Sequence, residues 1–331
     1  MRIHLTLDYE LFLGDNTGSV AKCLIEPMDA LSVVLKRKGV KLTLFVDCAY
    51  LLKMQSLTQY NAINKDIKDV CNHLERLSKE GHELQFHFHP QWLYSDYSDK
   101  GWRMDLDHYK LSDMEEDYLH SSFSDSLALL RNIASNEVCA FRAGGYSIQT
   151  YPNVKDLFFS NGITIDSSVM PGGVILEQKH FYDFRKAPKK GCWKFSDDVI
   201  IEDENGGFME LPITTEVPST VFHYLLKKKK LTKSHAGNRI WGDGRSIDLA
   251  VSTTQRMKDQ VSKFFRPCIF VATIDNVMSE NLAEMYRHNK GDYFTVIGHP
   301  KNFTRKSIAN VESFINEVAE NEVYATVSEC L

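Results

Sequence analysis

Four residues in the first third of the chain have types and spacing that suit metal chemistry. In the opening run His4-Leu5-Thr6-Leu7-Asp8-Tyr9-Glu10, Asp8 and Glu10 stand two apart. Side chains two apart on a strand share a face, so both carboxylates converge at its C-terminal end. The pattern recurs in Leu84-Gln85-Phe86-His87-Phe88-His89-Pro90, where His87 and His89 share one face and apolar residues take the other. Two carboxylates and two imidazoles are the donor types of a divalent-metal site. His87, His89 and one carboxylate supply three ligands and leave a position for water, the arrangement of a hydrolytic centre. Glu10 is read as that ligand and Asp8 as the base that takes the water's proton, with the reverse assignment left open. Zinc is the expected ion, with cobalt or nickel as alternatives.

Further polar residues fall at the ends of other expected strands: Arg142, Asp166 and His299. Arg142 is expected to orient the base by a charge-assisted bond, and His299 to protonate a departing amine. The turn at Gly144-Gly145 is a candidate source of a backbone N–H for an oxyanion. Polar groups gathered at strand ends are where parallel α/β barrels place their chemistry.

The elements that must carry these residues alternate. A helix is expected at 26–38, ended by Gly39, then a strand at 41–46. A helix at 66–79 presents Ile67, Val70, Leu74 and Leu77 on one face and stops at Gly81. After the strand bearing His87, Ser112-Asp113-Met114-Glu115 reads as a capping box opening a helix towards Ile133. A strand at 138–141, a helix at 153–160 stopped by Gly162, and a strand at 163–165 follow. This rhythm predicts parallel pairing with right-handed crossovers. It breaks between Met170 and about Arg245, where short strands at 192–196, 199–202 and 208–214 surround a hairpin turn at Asn205-Gly206-Gly207. Alternation resumes with a helix at 247–265 and a strand at 268–274. A helix at 281–288, a strand at 293–297, a helix at 305–319 and a strand at 324–327 complete the chain. The expected fold is a distorted (β/α) barrel of seven to eight parallel strands, one domain over 1–331, with a β-rich elaboration at about 170–245.

With these residues in place, the sequence resembles the polysaccharide deacetylases of carbohydrate esterase family 4, from about residue 3 to 300. Thr6-Leu7-Asp8-Tyr9-Glu10 resembles the family's Thr-Phe-Asp-Asp, and Gly81-His82-Glu83-Leu84-Gln85-Phe86-His87 its Gly-His-Glu-Ile-x-x-His. Phe141-Arg142-Ala143-Gly144-Gly145-Tyr146 is similar to Arg-x-Pro-Tyr, Asp166-Ser167-Ser168 to Asp-Ser-Ser, and Ile297-Gly298-His299-Pro300 to Ile-x-His-Pro. Two departures stand out. The family's second aspartate falls at Tyr9, and its second histidine at Gln91. Glu10 and His89 are the expected substitutes. The resemblance implies removal of an N-acetyl or similar N-acyl group from an amino sugar.

The bulk properties narrow the setting. The 331 residues carry a formal charge of −5 without long charged blocks, which argues against a general nucleic-acid binder. The run Lys227-Lys228-Lys229-Lys230 reads as a solvated helix end or loop. Seven scattered cysteines without CxxC spacing read as reduced thiols. With no secretory leader and no apolar run of membrane-spanning length, the expected setting is cytoplasmic, and the expected substrate a precursor of a surface polysaccharide. Oligomeric state is not legible. Two rival readings remain: a metal-dependent amidase acting on a non-sugar amide, and an inactive relative that binds a glycan or a partner. His4 and His82 read as packed structural histidines. Trp92, Tyr94, Trp102, Tyr146 and Trp241 read as either packing or sugar-stacking aromatics, and Glu210 and Asp275 as candidates for orienting His299.

Overall fold

The computed structural model describes residues 1–14, 16–149, 153–217, 239–245 and 269–330. The expected helix at 247–265, the lysine run at 227–230 and the first residue of the expected strand at 268–274 lie outside the described residues. In chain order the first elements are β1 (Arg2–Tyr9), α1 (Glu26–Lys38), β2 (Thr43–Asp47), α2 (Cys48–Gln55), α3 (Asn61–Lys79) and β3 (Glu83–Phe88). Next come α4 (Gln91–Tyr94), the hairpin β4 (Asp96–Ser98) and β5 (Gly101–Arg103), α5 (Glu116–Ile133), β6 (Ala140–Ala143), α6 (Val154–Asn161) and β7 (Ile165–Asp166). A second hairpin, β8 (Val174–Leu176) and β9 (Phe181–Asp183), precedes β10 (Trp193–Phe195), β11 (Phe208–Glu210), β12 (Thr215–Glu216) and β13 (Phe270–Val271). The chain ends with α7 (Leu282–His288), β14 (Tyr293–Val296), α8 (Arg305–Glu317) and β15 (Val323–Tyr324).

The main sheet runs β10-β11-β7-β6-β3-β2-β1-β14, with β15 also pairing β1. Every pair is parallel except β10 with β11. The sheet curls back on itself. The Thr214 N–H, beyond β11, bonds the Thr295 carbonyl of β14 at 2.9 Å, and residues 272–274 bridge the same gap through the backbone of Thr214 and Ile297. This is the expected distorted (β/α) barrel. On β1 the alternation is visible directly: Leu5, Leu7 and Tyr9 join the apolar core, while His4, Thr6 and Asp8 are the intervening buried polar residues.

Local signals place most elements. Gly39 and Gly162 end α1 and α6 in left-handed geometry, at φ 67° and 65°, where a glycine carries no Cβ penalty. Three expectations are corrected. The helix expected from 66 begins one turn earlier, with Ile63 joining its buried face. The capping box at Ser112 does not form. Asp113 instead accepts the backbone N–H groups of Tyr109 (3.0 Å) and Lys110 (2.8 Å), so its carboxylate is spent on a turn and the helix starts at Glu116. Residues 199–202 form a turn rather than a strand. The loop from β10 to β11 is therefore longer than a two-residue hairpin.

The β11–β7 register sets Glu210 beside Asp166, both fully buried. Asp166 accepts the N–H (3.0 Å) and O–H (2.8 Å) of Ser168 and so caps the turn after its strand. Glu210 accepts the Val169 N–H at 3.1 Å. Burial, and then the charge of Asp166, push the Glu210 carboxyl well above its ordinary 4.5. A carboxyl raised in the folded state destabilises the fold as pH climbs past its unfolded value, because the unfolded chain releases that proton first. Glu210→Gln keeps the shape and removes the titration. In denaturant unfolding the variant is expected to match or exceed the wild type at about pH 7.5, with its advantage shrinking as pH falls towards 4.5. Lower stability at the higher pH would show that the charged carboxylate is the form the fold uses.

Candidate active site

The parallel strands deliver Asp8, Glu10, His87, His89 and His299 to one cavity of about 260 Å³, which Gln91, Tyr146 and Lys301 also line. Asp8 sits near the end of β1, and Glu10 one residue beyond it. Tyr9 between them points the other way. Its hydroxyl meets His73 Nδ1 at 2.7 Å among the helices, so the residue at the resemblance's second-aspartate position is excluded from the cavity by strand parity.

Glu10, His87 and His89 form the one group of ligand types among the described residues able to hold a metal ion, with donor atoms within 4.8 Å of one another. Glu10 Oε2 stands 2.6 Å from His89 Nε2 and 3.4 Å from His87 Nε2. His87 Nδ1 lies 2.7 Å from the Arg142 carbonyl. With Nδ1 donating its proton there, Nε2 is the ring atom left to bind a metal. His89 Nδ1 is buried without a partner. These donors fit a divalent ion. The His89 ring lies so close to the next strand end that a Cβ on Gly144 would come within 2.6 Å of Nδ1. Asp47 anchors the same turn by accepting the Trp92 indole N–H at 2.7 Å.

Arg142 forms the floor. Its guanidinium bonds Asp8 Oδ1 at 2.6 Å, Thr6 Oγ1 at 3.0 Å and both the carbonyl and hydroxyl of Ser167, at 2.8 and 2.9 Å. Burial raises the Asp8 carboxyl, but Arg142, His87 and His299 outweigh it and hold it below the usual carboxylate range. Asp8 is therefore ionised near neutrality, with Oδ2 left towards His299 Nε2, 3.6 Å away. His299 is gripped on its other side by Asp275, which accepts its backbone N–H (2.7 Å) and lies 2.7 Å from Nδ1. Burial works against the imidazolium. Asp275 and then the site carboxylates prevail and push the group up to about 9.

Of the two carboxylates considered for orienting His299, Asp275 does so and Glu210 does not. Asp166 lies beneath the site in its own turn. Gln91 lines the cavity with both amide atoms buried and unpartnered. Tyr146 is the one of the five singled-out aromatics that lines this cavity. Trp92 is fully buried, packed at a tilt against Tyr50 and edge-on against Trp102. Gly145 and Tyr146 are both left-handed, at φ 56° and 61°; the strain at a non-glycine residue marks a turn held by its surroundings. His4 and His82 are structural, against Cys330 Sγ at 3.4 Å and the Leu42 N–H at 3.3 Å.

The sequence reading missed Lys301, Tyr109 and His180, all lining the cavity. Lys301 lies two residues after His299 in a pattern that singles out only the histidine. Tyr109 and His180 come from loops whose folding no periodicity announces. Lys301 Nζ donates to Glu10 Oε1 at 2.8 Å and to the Leu11 carbonyl at 2.7 Å. With His89 and His87 it holds Glu10 well below the carboxylate range against burial.

No protein-family model and no curated protein matches the chain. Solved structures do. A Mycobacterium smegmatis protein assigned to the polysaccharide deacetylases superposes with a TM-score of 0.52 at 12% identity, over 99% of this chain and 88% of that one. The Bacillus subtilis peptidoglycan deacetylase PdaC covers the same shares at 12% identity with a TM-score of 0.39. The 4-alpha-glucanotransferase of Thermococcus litoralis matches 99% of this chain and 40% of its own at 10% identity, with a TM-score of 0.50. Identity this low speaks for the backbone alone. The chain has the fold of the polysaccharide deacetylases.

Proposed function

We propose that the protein is a metal-dependent deacetylase that removes an N-acetyl or similar small N-acyl group from an amino sugar. One observation carries this reading. The free oxygen of Asp8 faces the ring nitrogen of His299 across 3.6 Å, beside the Glu10-His87-His89 donor group in a single cavity. A base, an acid and a cation site within reach of one bond are what amide hydrolysis requires.

Glu10, His87 and His89 would hold the ion, whose contribution when bound is to polarise the amide carbonyl and acidify water. The chain's own residues do the rest. Asp8 Oδ2 takes a proton from the attacking water as its oxygen bonds the carbonyl carbon. Arg142 keeps Oδ1 occupied and so fixes which oxygen accepts. His299 is protonated at neutral pH and gives its Nε2 proton to the amine as the C–N bond breaks. The left-handed turn at Gly145 and Tyr146 borders the same space and is the candidate source of a backbone N–H for the oxyanion. The products are a carboxylate and a free amine.

The cavity suits a small acyl group on one sugar unit. Six unpaired cysteines among the described residues favour a reducing compartment. In such a setting the substrate class we propose is a nucleotide- or lipid-linked precursor of a surface polysaccharide. No helix among the described residues is long and apolar enough to cross a membrane.

Protein purified without chelator is expected to hold about one zinc-like ion per chain by plasma mass spectrometry and to release acetate from an N-acetylated sugar nucleotide. His87→Ala is expected to lose metal and acetate release together with an unchanged circular dichroism spectrum. Stoichiometric metal in that variant would refute the ligand assignment. Asp8→Asn is expected to keep its metal and lose about 10²–10⁴-fold in kcat. Metal lost with Asp8 but retained without Glu10 would exchange their roles. Absence of acetate release from metal-loaded wild type on every N-acetylated sugar would overturn the substrate class.

A further inference from the structure

Lys301 is a buried cation in contact with the carboxylate that the preceding reading makes a metal ligand. It leaves 6% of its surface exposed. Its ammonium donates to Glu10 Oε1 (2.8 Å) and the Leu11 carbonyl (2.7 Å) and stands 5.1 Å from the centre of the Phe12 ring. The backbone is pinned as well: Gly242 donates its N–H to the Lys301 carbonyl at 3.0 Å. Lys301 belongs to the same short turn, Pro300–Asn302, that follows His299. His299 and the ammonium are thus carried on one short turn of the chain.

The two oxygens of Glu10 have different partners. Oε2 faces His89 and His87, while Oε1 is bonded by the ammonium and lies 3.7 Å from His299 Nε2. A carboxylate with one oxygen engaged in a charge-assisted bond presents the other as the better donor to a metal. The charges point the same way. Asp8 and Glu10 are balanced by Arg142 and Lys301 before any ion enters, so a dication is met by a donor set of little net negative charge. Such a set binds the ion less tightly and leaves more of its positive charge for the water and the carbonyl.

We propose that Lys301 is a positioning residue that restricts Glu10 to one donor oxygen, giving up metal affinity to keep coordination positions open and the ion strongly polarising. The proposal rests on the metal-site reading above. Without the ammonium, Glu10 is a buried carboxylate lacking its strongest neutralising partner, and the incoming ion is what relieves it.

The test is zinc affinity, measured by competition with a chromophoric chelator, and the rise in Tm on adding zinc. Lys301→Met is expected to bind zinc about tenfold tighter than wild type, the order by which groups behind a ligand change metal affinity. It should also show a larger zinc-induced rise in Tm and a lower kcat. Lys301→Arg, which keeps the cation, should stay close to wild type in zinc affinity. If Lys301→Met does not fold, Lys301→Gln against Lys301→Arg makes the same comparison. Zinc affinity unchanged or weaker on loss of the cation, in a wild type that does bind zinc, overturns this proposal alone. A wild type that takes up no divalent ion overturns the metal-site reading and this proposal with it.

Discussion

A guanidinium with no exposure to solvent ties the site together. Arg142 on β6 bonds Asp8 and Thr6 on β1 and both oxygens of Ser167 beyond β7, and it lies 4.0 Å from the ring centre of Phe45 on β2. A buried charge is tolerable only where its hydrogen-bonding groups are met, and removing a partner from such a pair typically costs about 3–5 kcal/mol. The strand ends around it are thereby constrained together. Ser167 in turn donates its hydroxyl to the Leu211 carbonyl at 2.8 Å, which extends the same constraint to the chain leaving β11. The consequence for chemistry is local: Asp8 keeps one oxygen on Arg142 and one free, so its lone pairs face the cavity in a defined direction.

The rest of the site follows the same logic of paired charges on stiff elements. Asp275 fixes His299 from behind, the Arg142 carbonyl fixes the His87 ring, and Lys301 fixes one oxygen of Glu10. Asp8, Glu10, His87 and His299 thus each have one polar atom engaged by the protein and another directed into the cavity, while His89 Nδ1 has no such partner. Sites held on strand ends with such supporting contacts are more exact than sites held on mobile loops. Gly144 shows how little slack remains, because a single added carbon would collide with both the His89 ring and the Phe88 carbonyl.

Much of this could be read from the chain. The two i, i+2 pairs, the capping glycines at 39 and 162 and the strand–helix alternation are local signals, and the structure shows each of them. Strand parity also turns Tyr9 away from Asp8, and the structure places its hydroxyl against His73 among the helices. The misreadings are also local in origin. Ser112 to Glu115 has the composition of a capping box, but Asp113 bonds backwards into its own turn. The contributions of Lys301, Tyr109 and His180 depend on how separate loops meet over the barrel mouth.

The sequence by itself determined which side chains leave each strand on which face, because a two-residue period is a property of the backbone, and that suffices to name Asp8, Glu10, His87 and His89 as neighbours in pairs. Only the tertiary structure decided which pair meets which partner. The curl of the sheet brings β14 beside β1, and with it His299 and Lys301 against the two carboxylates. Residues some 290 positions apart in the chain are joined by a hydrogen bond whose existence depends on barrel curvature and loop packing, and no local pattern encodes either.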